Sequence, residues 1–308
     1  MTDLTRADFL RLAGASAAVL AFGTPARAQT QGDFTMETRP IPKTGEALPA
    51  IGCGTWRTFD VGNSTAEIAE RAEVLRTLFD AGGKVIDSSP MYGSSEAVVG
   101  KALARIDGRA RAFVATKVWT SGREAGLRQM EASLDKLGAD PIDLMQIHNL
   151  LDWRTQLATL RDWKAAGRVR YIGITHYHDG AFNDLAAVLN AEDVDFVQFN
   201  YALDDRAAEE MLLPLAADKG VAVLVNRPFG GGRLLRRMSA KPLPGWAAEI
   251  GATSWAQVLL KFLLAHPAVT CPIPGTGSVR HMADNVRAAD GRYPDASLRR
   301  RMITEVAG

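Results

Sequence analysis

Residues 112–148, AFVATKVWTSGREAGLRQMEASLDKLGADPIDLMQIH, decide how this chain folds. Residues 112–117 form an apolar run of strand length, residues 124–137 carry a helical pattern that stops at Gly138, and residues 142–148 form a second apolar run. Neither run alternates polar with apolar residues, the mark of a strand covered on both faces. Strand, helix, strand is therefore the local reading.

The alternation continues in both directions. Further strands are expected at 51–54, 84–87, 169–175, 196–200, 221–226 and 270–273. Further helices are expected near 66–81, 95–106, 154–166, 181–190, 206–218, 253–265 and 278–289, with Gly82, Gly167 and Gly220 near helix ends as stop signals. Upstream, residues 39–56, RPIPKTGEALPAIGCGTW, turn at Lys43-Thr44-Gly45-Glu46 and read as a β-hairpin leading into the first strand. Eight strands each followed by a helix, with no linker rich in Pro, Gly and Ser, point to one α/β domain over residues 38–308: a (β/α)8 TIM barrel with an N-terminal β-hairpin. A doubly wound open sheet is the competing fold. It wants a GxGxxG turn after its first strand, and Gly52-Cys53-Gly54-Thr55-Trp56 lacks the third glycine.

Residues 5–28, TRADFLRLAGASAAVLAFGTPARA, read as a signal peptide: basic start, weakly apolar centre, and Ala26-Arg27-Ala28 as the cleavage pattern. The apolar run is shorter than the ~20 residues a bilayer span needs. The start resembles a twin-arginine export signal, with Ala7 standing where the second arginine belongs. This predicts cleavage after Ala28, a linker over 29–37, and a periplasmic or secreted protein with no membrane segment left. The first 28 residues hold three basic and two acidic side chains, so the remainder is balanced at formal charge zero and offers no nucleic-acid footprint. Cys53 and Cys271 sit alone in apolar strand runs, where a thiol serves packing.

The chemistry gathers at three consecutive strand ends. Asp87 ends one strand and Tyr92 follows in the loop Ser88-Ser89-Pro90-Met91-Tyr92-Gly93; Lys117 and His148 end the next two strands. In a barrel these ends share one mouth. A tyrosine with a pKa near ~10 is a poor proton donor at neutral pH, and a neighbouring ammonium is expected to lower that value while Asp87 keeps Lys117 charged and aimed. An ion pair that merely caps strand ends is the plain structural alternative.

These residues resemble the catalytic tetrad of the aldo-keto reductases. The resemblance extends through Lys43 to Glu46, Gly52 to Trp56, Gly173-Ile174-Thr175-His176, Gln198, Pro228-Phe229-Gly230-Gly231-Gly232-Arg233-Leu234, and Ile273-Pro274-Gly275-Thr276 followed by Asn285. It implies an NAD(P)H-dependent enzyme that delivers hydride to a small-molecule aldehyde or ketone. Tyr92 would protonate the developing alkoxide, with Lys117 and Asp87 tuning it and His148 orienting the carbonyl oxygen. Thr175, His176 and Gln198 match the positions holding the nicotinamide carboxamide. Arg227, Pro228, Phe229, Gly230 and Gly232, with Gly275, Thr276, Arg280, His281 and Asn285, match those around the phosphates.

Four departures qualify the match: His176 replaces a common asparagine, Asn226 a common stacking aromatic, Gly275 a common lysine, and His281 a common arginine. Arg280 and Arg227 are expected to compensate by a bidentate grip, which favours NADP(H) over NAD(H). Trp56 and Trp119 are expected to wall a wide substrate pocket, Phe59 reads equally as a third wall or as a core or surface aromatic, and no metal is expected. Two other functions compete: a cofactor-binding sensor or accessory subunit, and a metal-dependent hydrolase built on His148 with the His176-Tyr177-His178 pair. The oligomeric state is left open by the sequence.

Overall fold

Alternating apolar and helical segments become a closed barrel in the computed structural model, which describes residues 34–307. The expected signal peptide at 1–28 and the first part of the expected linker lie outside the described residues. Met36 and Glu37, placed in that linker, are held against the barrel: Met36 is buried, and Glu37 N–H donates to Ala289 O while Glu37 O accepts from Ala50 N–H.

A hairpin comes first, β1 (Thr38–Pro40) paired antiparallel with β2 (Ala47–Pro49). The barrel then alternates β3 (Cys53–Gly54), α1 (Thr65–Asp80), β4 (Val85–Asp87), α2 (Ser95–Arg105), β5 (Phe113–Val118), α3 (Arg123–Leu137), β6 (Ile142–His148) and α4 (Trp153–Ala165). It continues with β7 (Val169–Thr175), α5 (Phe182–Ala191), β8 (Phe196–Asn200), α6 (Leu212–Asp218), β9 (Ala222–Asn226), α7 (Arg233–Ser239), α8 (Trp255–Leu264), β10 (Cys271–Pro272), α9 (Val279–Val286) and α10 (Ala296–Met302).

Strands β3 to β10 are parallel and pair in sequence order. Every residue of β5 and β6 is buried, which is why neither alternates in polarity. The first and last strands close the ring: Gly52 N–H donates to Pro272 O at 3.0 Å and Gly54 N–H to Pro274 O at 3.3 Å. This seam needs glycine, because a Cβ on Gly54 would lie 2.8 Å from Ile273 O.

The hairpin seals the end of the barrel opposite the strand C-termini. Ile41 and Leu48 join one apolar cluster with Val85, Phe113, Leu144, Tyr171, Phe196 and Ala222, at or near the starts of their strands. The four stop glycines, Gly82, Gly138, Gly167 and Gly220, all adopt positive φ, as their helix-ending role requires. Both cysteines are free and buried, and burial pushes the Cys53 thiol up to about 12, so the packing role is the one they hold.

Three segments differ from the sequence reading. The helix expected at 206–218 splits into a 3-10 turn at Ala207–Glu209 and α6, because Pro214 cannot donate to a preceding turn and forces a fresh helix start. Helices α7 and α10 were not expected; each is seven residues long, too short to display a period. Phe59 is fully buried, so it belongs to the core and not to a substrate pocket.

Helices α2 and α3 cross closely at Gly100, where a Cβ would meet Lys136 O at 2.0 Å. Gly100→Ala should therefore destabilise the fold: overpacking costs about 1–3 kcal/mol, against a helix-propensity gain of at most ~1 kcal/mol. Urea unfolding checks this, and an alanine variant as stable as its parent would remove the close crossing.

Candidate active site

The parallel strands bring the four chemical groups to one end of the barrel: Asp87 and His148 end their strands, Lys117 lies one residue before the end of its own, and Tyr92 follows in the loop after Asp87. His148 pairs with Thr175, Thr175 pairs with Gln198, and Lys117 pairs with Gln146. Asp87, Lys117, His148, Thr175 and Gln198 are all buried at these strand ends, and Tyr92 is half-buried above them.

Lys117 Nζ donates to Asp87 Oδ2 at 2.6 Å and to Ser88 O at 2.7 Å. Gln146 Nε2 donates to Asp87 Oδ1 at 3.2 Å, and Gln198 Nε2 lies 3.5 Å from Asp87 Oδ2. The Tyr92 ring centroid lies 5.0 Å from Lys117 Nζ and 5.8 Å from the His148 ring, edge-on. The Trp119 ring centroid lies 6.4 Å from that of His148, the rings tilted at 59°. Thr55 holds the loop from above, its N–H and Oγ1 both donating to Asp87 O at 3.0 Å.

Electrostatics give each group a definite state. Burial pushes the Lys117 ammonium down, but Asp87 and Tyr92 outweigh it and its pKa is raised, so Lys117 is charged. Burial also acts on Tyr92, and here it prevails over the lowering by Lys117, so the phenol lies above its ordinary value of 10.0. The expected net lowering of Tyr92 is thus not what this pocket produces: desolvation penalises the phenolate more than one ammonium, itself shared with Asp87, stabilises it. His148 is driven down to about 2, first by burial, then by Lys117 and His176, which makes it a neutral imidazole.

The residues expected around a nicotinamide nucleotide line the neighbouring strand ends. Asn226 Nδ2 donates to His176 O at 2.9 Å, while Gln198 Oε1 and Asn226 Oδ1 are buried without a partner. Two orphaned amide oxygens beside Thr175 suit the N–H groups of a carboxamide. Arg227 has φ 51° and donates to Tyr177 O at 3.1 Å. The turn after Pro228 and buried Phe229 carries Gly230, Gly231 and Gly232, all at positive φ, and leads directly into α7. Such a turn lets backbone approach a phosphate closely.

Thr276 and Asn285 are buried near the start and end of the last loop and helix, and Ser278 caps α9 by accepting from His281 N–H. Arg280 and His281 lie exposed and within 3.3 Å of each other. Gly275 bridges to Gly54 across the barrel seam. Trp56 and Trp119 are 49% and 41% exposed, which places indole surface at the mouth rather than in the core.

Three residues escaped the sequence reading. Arg71 ties Thr58 O to Gly277 O and so fixes the first loop against the last turn. Asp284 accepts from Ser254 Oγ and Gln257 Nε2, both at 2.6 Å, locking α9 to α8. Ser89 touches His148, its Oγ 3.1 Å from Nδ1. None carries a signature that single residues can announce.

The metal reading needs further ligands beside His148, His176 and His178. Among the described residues no three His, Cys, Asp or Glu side chains form such a group. Instead, His176 stacks on Tyr177 at 5.4 Å and meets His178 edge-on at 4.4 Å.

Comparison with known proteins agrees with this geometry. The chain is 27% identical over 271 residues to methylglyoxal reductase YeaE of Escherichia coli, covering 85% of this chain and 93% of that protein. It is 29% identical over 247 residues to an NADH-specific methylglyoxal reductase of the same organism, covering 69% and 73%. The crystal structure of an aldo-keto reductase from Klebsiella pneumoniae in complex with NADPH superposes with a TM-score of 0.75 at 26% identity, over 89% of this chain and 96% of that one. The model of the Aldo/keto reductase family matches residues 50–302, and the chain belongs to that family.

Proposed function

We propose that this oxidoreductase reduces a small aldehyde or ketone to the alcohol, with Tyr92 as proton donor and NADPH preferred to NADH as reductant. The observation that carries the reading is the arrangement around Lys117: one buried ammonium shared by Asp87 and Ser88 O, 5.0 Å from the Tyr92 ring, with neutral His148 beside it.

A bound NAD(P)H supplies hydride to the carbonyl carbon. The remaining work falls to the chain. Tyr92 keeps its proton until negative charge builds on the substrate oxygen, then releases it toward that oxygen, and Lys117 stabilises the phenolate left behind. His148 donates a hydrogen bond that orients the oxygen. Thr175, His176 and Gln198 hold the carboxamide, the turn from Arg227 to Gly232 and Gly275-Thr276 receive the phosphates, and Trp56 and Trp119 wall the pocket.

The two methylglyoxal reductases among the relatives support a small reactive carbonyl as substrate. The Klebsiella complex and the exposed Arg280 support NADPH. The signal pattern in residues 5–28 supports export to the periplasm or beyond.

Titration with NADPH and NADH, followed by tryptophan quenching, tests the proposal together with turnover of methylglyoxal. Saturable micromolar binding, tighter for NADPH, is expected. Arg280→Ala should weaken NADPH by about tenfold while barely changing NADH, the worth of one charge-assisted hydrogen bond. Binding of neither nucleotide would sink the reductase reading.

A further inference from the structure

Ser89 is fully buried between two members of the tetrad. Its carbonyl accepts from Tyr92 N–H at 3.0 Å, and its hydroxyl oxygen lies 3.1 Å from His148 Nδ1. Met91 N–H donates to the same hydroxyl at 3.4 Å.

A neutral imidazole carries one N–H and one bare nitrogen, and the partner of one nitrogen decides which is which. Here the choice is constrained by the serine. Its hydroxyl has one proton to give, and among the described residues the only acceptor bonded to Ser89 Oγ is His148 Nδ1. Were Nδ1 to carry the proton instead, Ser89 Oγ would receive two donors and its own proton would be buried without an acceptor. That arrangement leaves a buried donor without an acceptor, which the other tautomer avoids.

We infer that Ser89 is a positioning residue that donates to Nδ1 and fixes His148 as the Nε2–H tautomer, so that the imidazole presents a donor to the substrate oxygen. The inference rests on the proposed role of His148 as the group that orients that oxygen. Nε2 has no hydrogen-bond partner among the described residues, which leaves its proton for the substrate. Ser89 also couples the two groups that meet the oxygen, His148 through its side chain and Tyr92 through its carbonyl.

The tautomer can be read directly from long-range proton–nitrogen spectra of the full chain labelled with 15N-histidine, with His148→Asn supplying the assignment. The expected result is a protonated Nε2 and a bare Nδ1 at His148. Ser89→Ala should populate the other tautomer and lower kcat about 3- to 10-fold, the worth of one neutral hydrogen bond, with KM and nucleotide affinity little changed. Ser89→Thr, which keeps the hydroxyl, should restore both tautomer and kcat.

A wild-type spectrum with the proton on Nδ1 overturns the inference, and this arm stands even where Ser89→Ala fails to fold. So does a folded Ser89→Ala protein that keeps both the wild-type tautomer and the wild-type kcat, since a serine that only shapes its turn predicts that outcome. Full turnover in His148→Asn would instead remove the proposed role of His148 while leaving the tautomer result intact.

Discussion

Replacing Tyr92 by phenylalanine is expected to lower kcat for aldehyde reduction by about 10²–10⁴-fold while leaving NADPH affinity nearly unchanged. The ring that meets His148 edge-on at 5.8 Å is retained in the variant, so packing is preserved and only the hydroxyl is lost. The wild-type pH profile carries the same argument. Reduction requires the protonated phenol, so rate is lost as pH rises through its pKa, and burial holds that pKa above 10.0. The alkaline limb should therefore lie beyond the ordinary tyrosine range, and the neutral state of His148 means that it adds no limb near 6.5. Initial rates for the parent and Tyr92→Phe across neutral and alkaline pH decide the matter. Undiminished turnover in the variant would take the proton donor elsewhere.

Lys117→Met should cost far more stability than an ordinary core substitution. The pair with Asp87 is buried on both sides, at 1% and 3% side-chain exposure, so removing the ammonium strands a carboxylate in the barrel. Breaking such a pair costs about 3–5 kcal/mol, whereas replacing both charges by neutral groups is often close to neutral. The double variant Asp87→Asn, Lys117→Met should accordingly regain most of the loss, helped by Gln146 and Gln198, which already reach Asp87. Both variants should be nearly inactive, because neither supplies the cation that receives the phenolate. Denaturant unfolding without nucleotide measures the cycle. A single variant as stable as its parent would mean that water reaches Asp87.

Much of this was legible in the residues. The strands could be found because both faces are covered, so apolar runs such as 142–148 end abruptly in a polar residue. The candidate residues could be found because Asp87 and His148 end their strands and Lys117 lies one residue from the end of its own. What stayed hidden depends on three-dimensional surroundings. The sign of the Tyr92 shift follows from desolvation, a quantity that a list of charged neighbours does not contain. Arg227 was expected to grip a phosphate, yet its guanidinium already holds Tyr177 O, and only the left-handed backbone at Arg227 brings the two together. Short helices such as α10 gain their order from partners: Arg299 donates to Glu209 at 2.7 Å and to Tyr201 Oη at 3.1 Å. Seven residues contain too few turns to advertise that in advance.

The hairpin plug has a kinetic meaning. With Ile41 and Leu48 packed among the strand starts, that end of the barrel is shut, so any guest of the proposed site enters and leaves at the strand C-terminal end. Whatever settles deepest must arrive first and depart last. For two guests that share one entrance, departure sets the pace of turnover wherever it is slower than the chemistry.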